Sequence, residues 1–236
     1  MLSWIFPNTC QLCGALSETT LCPECLASLT RVPKPVCMYC GAPVAGNQQD
    51  PYHCAACQGK PRPFTFARSA LHEDDTTLEL VHDLKYHGKT HLARALAPLL
   101  AELWEYNHVL SDTADWTLVP VPVTPRKLFS RGYNQAEELA QELVRLRPIP
   151  ILQPLRRVYT GVRSQTNLSA TERMKNAYRA YSLLPAYANG TRRLPPNLLI
   201  LDDVYTTGAT TRACAHALRQ APGVKNIGIV TLLRVQ

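Results

Sequence analysis

The chain of 236 residues has no long hydrophobic run, and aromatic residues make up only 7 % of it. No apolar stretch approaches the roughly 20 residues that a helix needs to cross a bilayer, so no transmembrane segment is expected. The first ten residues, MLSWIFPNTC, lack the basic start of a secretory signal. The sequence therefore predicts a cytoplasmic protein, and its core is expected to take up most of the few aromatic side chains.

Charge is also scarce, and it is unevenly spread. Charged residues make up 18 % and hydrophobic residues 46 % of the chain, which favours a globular core over a disordered chain. The net charge is +7, but residues 119–193 alone hold 13 Lys and Arg against 4 Asp and Glu. Such a basic belt predicts a phosphorylated ligand, a nucleic acid or both. A solvated basic face is the alternative, which charge counting leaves open.

Cysteine is almost absent after residue 57, where only Cys214 remains, in a helical pattern that predicts an ordinary core residue. The other eight cysteines form four C-x-x-C pairs. A C-x-x-C turn directs two thiolates at one tetrahedral ion, so two such turns complete a zinc site. Disulfides are the alternative, but they need an oxidising compartment that nothing in this chain indicates. The four pairs therefore predict two structural zinc ions.

The spacing of the pairs leaves two groupings open. In a cross-braced grouping, the first pair joins the third and the second joins the fourth. The sequential grouping is simpler and forms two sites, one of Cys10, Cys13, Cys22 and Cys25 and the other of Cys37, Cys40, Cys54 and Cys57. Aliphatic residues are sparse here, and metal binding worth on the order of 10 kcal/mol per site would replace the missing core. We predict a double zinc-ribbon domain over 1–63, a proline-containing junction CQGKPRPF, and a second domain over 64–236.

Strand and helix patterns alternate in the second domain. This alternation predicts an α/β fold with a mostly parallel sheet and flanking helices. Strands are predicted over 66–72, 115–122, 149–152, 198–201 and 225–233, and helices over 77–88, 91–106, 134–147 and 209–220.

One stretch, LLILDDVYTTGATT at 198–211, combines two adjacent acids with a threonine-rich turn. Asp202 and Asp203 follow a buried strand, where open α/β sheets bind their ligands. The turn leads into a helix, whose first N–H groups favour phosphate. Two carboxylates can accept hydrogen bonds from a vicinal diol and can lie beside a divalent cation. A ribose 5-phosphate carries both a vicinal diol and a phosphate, so this stretch predicts a site for that ligand. The alternative is that the aspartates only cap the helix.

The same stretch resembles the motif with which type I phosphoribosyltransferases bind 5-phosphoribosyl 1-pyrophosphate (PRPP). Three further segments, together with the cysteine-rich start, resemble the ComF family over essentially the whole chain: LKYHGKTHLA, VPVPVTPRKLFSRGYNQAEELA and RSQTNLSATERMKNAYRAY. The resemblance implies a double zinc ribbon followed by a type I phosphoribosyltransferase-like domain.

Roles follow from the resemblance at matching positions. It implies that Asp202 and Asp203 face the ribose hydroxyls with Mg²⁺ nearby, and that they act with Arg131 as catalytic residues if the domain is an enzyme. Arg126 and Lys127 are further candidates for pyrophosphate contact. Lys85 lies on a predicted helix, where an ordinary surface side chain is one interpretation. The implied 5′-phosphate loop consists of Thr206, Thr207, Gly208, Ala209 and Thr210. A polar flap is predicted around Arg163, Gln165, Arg173 and Asn176.

The resemblance also implies a part in DNA uptake, natural transformation or the use of external DNA. The implied partners are PRPP or ribose 5-phosphate, single-stranded DNA, and DNA-uptake machinery at the inner face of the membrane. Bases of a single strand would stack on Tyr39, Tyr52 or Phe64. The alternative is an active phosphoribosyltransferase in nucleobase salvage with no direct DNA role. The lack of a recognisable base-binding hood favours the first reading.

Overall fold

A parallel sheet of four strands is the centre of the computed structural model, which describes residues 8–44, 52–59, 61–106, 110, 115–158 and 178–235. Two further strands form a small antiparallel pair. In chain order the strands are β1 (Phe66–His72), β2 (Thr117–Pro120), β3 (Leu155–Arg157), β4 (Tyr181–Leu183), β5 (Asn197–Tyr205) and β6 (Asn226–Arg234). The order across the main sheet is β1-β6-β5-β2, and β3 pairs with β4.

Most helices begin at residues suited to capping. Asp74 accepts from the backbone of Thr77 at one helix start, and Thr124 and Asn134 accept in the same way at two others. The helices are α1 (Pro23–Ser28), α2 (Asp75–Tyr86), α3 (His91–Ala101), α4 (Leu103–Tyr106), α5 (Pro125–Arg131), α6 (Gln135–Leu146), α7 (Pro185–Ala188) and α8 (Ala209–Leu218). None of the helices in the described part of the chain is long and apolar enough to cross a membrane.

Both faces of the sheet are buried. Side chains alternate along β5, so successive residues enter cores on opposite faces. Leu199 and Leu201 belong to a core with α2, α3 and α6, whereas Leu198 and Ile200 belong to a second core with α8 and the β3–β4 pair. Asp202 and Asp203 continue this buried run within β5, near the carboxyl end of the strand. The central strand therefore delivers the two acids to one rim of the sheet.

The cysteine-rich segment wraps around the edge of the sheet. Cys10 packs in the core with α2 and α3, and Cys37, Cys40 and Cys57 pack in the core on the opposite face. Between them, the backbone N–H of His72 donates to the carbonyl of Thr30 (2.9 Å), and that of Val32 donates to the carbonyl of Ala70 (3.3 Å). The chain between the two cysteine groups therefore covers the outer edge of β1.

The predicted α/β class, with a mostly parallel sheet and a cysteine-rich start, is confirmed. Several elements differ from expectation. Strand β5 runs to Tyr205, beyond the predicted 198–201, so Asp202 and Asp203 lie within the strand and not after it. Helix α5 and the β3–β4 pair were not predicted. The predicted helix 91–106 is two helices separated at Glu102, and the predicted strand 149–152 is a single bridge between Leu118 and Ile151. The predicted flap residues Arg163, Gln165, Arg173 and Asn176 lie outside the described residues.

Candidate functional site

The eight amino-terminal cysteines form two separate clusters. In each cluster the four sulfur atoms lie within 4.8 Å of one another, and the members are those of the sequential grouping. Representative sulfur–sulfur distances are 3.9 Å for Cys13–Cys22 and 3.7 Å for Cys40–Cys54. Four sulfurs at the usual zinc–sulfur distance of about 2.3 Å would stand about 3.8 Å apart. Both clusters therefore fit a structural zinc ion.

Backbone donors prepare one thiol in each cluster for metal binding. Cys10 Sγ accepts from the N–H of Cys22, and Cys37 Sγ from that of Cys54, both at 3.3 Å. Burial opposes ionisation of both thiols, but N–H donors of this kind outweigh it. The pKa of Cys10 is lowered to about 6 and the pKa of Cys37 to about 7. The thiolate is the form that binds a metal.

Asp202 and Asp203 are both buried, with 7 % and 3 % of their surface exposed. The N–H of Asp203 donates to Oδ1 of Asp202 at 2.9 Å. Burial, followed by the charge of Asp203, raises the pKa of Asp202 well above its ordinary value. Two acids in a buried pocket cost free energy unless a cation or hydrogen-bond donors compensate them.

Lys85 supplies one such cation. Its Nζ lies 2.8 Å from Oδ2 of Asp203. That oxygen accepts no well-aligned hydrogen bond from the described residues, so the contact is electrostatic in character. Interpreting Lys85 as an ordinary surface lysine was therefore wrong. Its position in the segment LKYHG, which carried part of the family resemblance, was the available signal.

The turn after β5 leads into α8, and the capping residue of this helix provides no side-chain hydrogen bond. Gly208 is the residue before the helix, so the alternative in which the aspartates cap α8 is wrong. Gly208 has φ +70°, and a Cβ at this position would overlap the hydroxyl of Tyr205, so only glycine fits. Thr206 and Thr207 are exposed. The N–H of Ala209 donates to Oγ1 of Thr207 at 3.4 Å, and a helix start flanked by exposed hydroxyls suits an anion such as phosphate.

A basic cavity of about 520 Å³ lies on the other side of Lys85, which also contacts Asp203. It is lined by the cations Lys85, Arg126, Lys127 and Arg131 together with Tyr86, Thr124, Ser130 and Tyr133. The guanidinium of Arg131 lies 4.5 Å from the ring centroid of Tyr86 and donates to Oε1 of Gln135 at 3.1 Å. Because Lys85 also contacts Asp203, one side chain joins the basic cavity to the acidic pair.

The aromatic residues are placed differently from expectation. Phe64 is only 2 % exposed and cannot stack on a base, so that prediction was wrong. Tyr39 is half-buried with its ring 4.3 Å from that of His53, and Tyr52 is half-buried as well. Phe129, on α5, is 94 % exposed. An aromatic residue inside the basic run RKLFSR was the signal for it.

A family model described as a double zinc ribbon domain matches residues 1–58. The chain is 30 % identical to the DNA utilization protein YhgH of Escherichia coli K12, over 90 % of this chain and 91 % of that protein. The YhgH protein of Salmonella typhi is 33 % identical over the same shares. Competence protein F of Haemophilus influenzae is 27 % identical over 93 % of this chain and 92 % of its own.

The chain belongs to the ComF family. In this ComF protein, the residues singled out in the sequence fall in three places. The cysteines form the two clusters, the residues from Asp202 to Thr210 form one continuous rim, and Arg126, Lys127 and Arg131 line the neighbouring cavity. Lys85 contacts Asp203 and also lines the cavity, so it joins the rim to the cavity.

Proposed function

We propose that this ComF protein acts in the uptake or use of external DNA, and that its α/β domain binds ribose 5-phosphate or PRPP. The first part rests on relatives that are named DNA utilization and competence proteins. The protein would act in the cytoplasm, whose reducing conditions keep cysteines as thiols, and would there meet DNA-uptake machinery at the membrane. We assign the zinc ribbons to 1–63 and the ligand site to 64–236.

One observation carries the ribose phosphate proposal. Two buried carboxylates stand beside the start of α8, and among the described residues only Asp203 is paired with a cation. The hydroxyls of a ribose would donate to Asp202 and Asp203, and the 5-phosphate would accept from the turn of Thr206 to Thr210. Mg²⁺ beside the aspartates would offset their repulsion. Ribose 5-phosphate satisfies the acids and the helix start at once.

The basic cavity supports PRPP as the fuller ligand. A pyrophosphate carries concentrated negative charge, and the cavity holds Arg126, Lys127 and Arg131 beside Lys85. If the protein catalyses phosphoribosyl transfer, the same cations would stabilise the leaving pyrophosphate. A salvage phosphoribosyltransferase is therefore the second candidate. Pyrophosphate release from PRPP with a panel of nucleobases would separate it from a protein that only binds the ligand.

The exposed side of α5 supports single-stranded DNA as a partner. Phe129 and Leu128 are exposed on a helix that also carries Arg126 and Lys127. A ring on which a base can stack, next to cations that contact phosphates, is the usual construction of a single-strand binding surface. Stacking contributes about 1–3 kcal/mol per base and does not depend on sequence. We propose that an incoming strand contacts this side of the domain.

Calorimetric titration with ribose 5-phosphate and Mg²⁺ tests the ligand site. Asp203→Asn should weaken binding roughly ten- to a hundredfold, because a charge-assisted hydrogen bond is lost. Asp75→Asn is the matched control, since Asp75 is exposed at the start of α2, and it should leave affinity unchanged. A wild-type protein that binds neither ribose 5-phosphate nor PRPP would end the proposal.

A further inference from the structure

Arg234, the last residue of β6, connects the second cysteine cluster to the main sheet. It is only 8 % exposed. Its Nη1 donates to the carbonyl of Cys40 at 2.6 Å, and its Nη2 lies 4.0 Å from Cys40 Sγ. The guanidinium is therefore buried directly against one of the four sulfurs of that cluster.

The same guanidinium also faces the rim of the sheet. It lies 4.8 Å from the ring centroid of Tyr205, the residue opposite Arg234 in the pairing of β5 with β6. The hydroxyl of Tyr205 occupies the space that a Cβ on Gly208 would need, so the tyrosine packs under the turn before α8. Arg234 thus contacts both Cys40 and Tyr205, and Tyr205 in turn packs against Gly208.

Charge explains why an arginine can be buried here. A Zn²⁺ ion held by four thiolates carries a net charge of −2, and the guanidinium beside Cys40 offsets half of it. Nε of Arg234 is buried without a hydrogen-bond partner among the described residues. A buried cation that is not fully hydrogen-bonded depends on a nearby negative charge to remain in place.

The two cysteine clusters differ in the part of the domain against which they pack. The first cluster packs on the other face of the sheet, where Cys10 joins Leu21, Leu29 and residues of α2 and α3. The second cluster shares its core with Tyr205 and with Cys214 of α8. Gly41, next to Cys40, lies so close to β1 that a Cβ would stand 2.5 Å from the carbonyl oxygen of Ala67. The second cluster is thus built into the face that supports the proposed phosphate turn.

We propose that Arg234 is a positioning residue through which the second cysteine cluster, and not the first, sets the conformation of the turn from Thr206 to Thr210. Metal at the second cluster holds the guanidinium, the guanidinium holds the Tyr205 ring, and the ring supports the turn. For ligand binding this inference rests on the proposed function. Because coupling between sites is reciprocal, ribose 5-phosphate should in turn slow the release of zinc from the second cluster.

Matched variants of the full-length protein test the inference. Cys54→Ser removes a ligand from the second cluster and Cys13→Ser one from the first. Arg234→Met removes the charge at similar length, and Arg234→Lys keeps it. Arg219→Met is the control. Like Arg234, Arg219 donates to backbone carbonyls, those of Pro63 and Lys225. The readouts are hydrogen exchange of the peptide 205–213, zinc release to a chelating dye, and affinity for ribose 5-phosphate.

Cys54→Ser and Arg234→Met should both speed exchange in 205–213 and weaken ribose 5-phosphate binding by about tenfold or more, within the usual range of coupling between sites. Arg234→Met should also release one zinc ion faster than the wild type does, and Arg234→Lys should restore part of each effect. Cys13→Ser should change exchange and affinity less than Cys54→Ser does, and Arg219→Met should change neither. Equal effects of Cys13→Ser and Cys54→Ser would overturn the inference.

The exchange measurement keeps the two proposals separate, because it needs no ligand. A wild-type protein that does not bind ribose 5-phosphate would end the proposed function, while exchange in the Cys54→Ser variant would still test the role of the second cluster. If Arg234→Met does not fold, Arg234→Lys and Cys54→Ser decide the question. Unchanged exchange and unchanged zinc release in both of these variants would contradict the role of Arg234.

Discussion

Lys85 Nζ and Asp203 Oδ2 are 2.8 Å apart, although α2 and β5 are widely separated in the sequence. The carboxylate is buried and the lysine is mostly so, which makes removal of the lysine more costly than the loss of a typical surface pair. The lysine neutralises one of two adjacent acids and at the same time lines the basic cavity. The acidic and basic halves of the proposed ligand site therefore depend on one side chain.

Removing this lysine should destabilise the protein. We expect Lys85→Met to lower the free energy of unfolding by about 1–3 kcal/mol, because it leaves a buried carboxylate without its cation. The loss should be smaller when Asp203→Asn is also present, which a double-mutant cycle in urea would measure. Lys89→Met, which breaks the more exposed pair with Asp83, should cost no more than about 1 kcal/mol. Equal losses in the two lysine variants would contradict the special role of Lys85.

The stability of the unliganded protein should fall as pH rises through the raised pKa of Asp202. A folded-state pKa above the unfolded value means that the folded protein binds the extra proton, so the free energy of unfolding declines from the ordinary carboxyl pKa upward. Asp202→Asn should remove this part of the pH dependence and increase stability at neutral pH. Denaturation in urea over a pH series measures it. If the free energy of unfolding of Asp202→Asn depends on pH as it does in the wild type, the raised pKa of Asp202 is contradicted.

Zinc content should follow the sequential grouping. The purified protein should contain close to two zinc ions per chain by elemental analysis, because each cluster has four sulfurs at a suitable spacing. Cys10→Ser and Cys37→Ser should each release one ion, from different clusters. Finding no zinc in protein prepared without chelator, with its thiols intact, would contradict the prediction.

Gly208→Ala should affect both the fold and the ligand site. At φ +70° any L residue is strained by about 1–2 kcal/mol, and this side chain would also push against Tyr205. Gly190→Ala separates the two effects, since Gly190 has φ +76° and nothing within 4 Å of a Cβ. Thermal unfolding should show a larger loss for Gly208→Ala, and calorimetry should show that only this variant loses ribose 5-phosphate affinity. Similar behaviour of both variants would refute the close packing on Tyr205.

Single-stranded DNA binding should weaken steeply with salt, because counterion release scales with the number of neutralised phosphates. Phe129→Ala should reduce affinity by about 1–3 kcal/mol without changing the salt slope, as expected for loss of one stacked base. Leu146→Ala removes another exposed apolar side chain, on α6, and should have no effect. Fluorescence anisotropy with a labelled oligonucleotide measures both properties. Equal affinities of the two variants would argue against α5 as the contact surface.

Local patterns predicted most of the central fold. The strand 66–72 has the predicted bounds, and the predicted helix 134–147 is observed as Gln135–Leu146, because their periodicities of two and 3.6 residues are clear. The β3–β4 pair was missed, since two strands of three residues show no measurable alternation. Sequence spacing also left the pairing of the cysteines open, because both groupings satisfy the same C-x-x-C turns. The Lys85–Asp203 pair depends on how α2 packs against β6 and α3 beside the sheet, which no local pattern reports.

The cover over β1 gives the zinc ribbon a protective role against self-association. Strand β1 ends the sheet on one side, and an uncovered edge strand is a ready template for pairing with a second molecule. The residues that hydrogen-bond along this edge, Thr30 and Val32, lie between the two cysteine clusters in the sequence. A chain stripped of its metal would lose that cover first. We expect the metal-free protein to self-associate through the uncovered edge of β1.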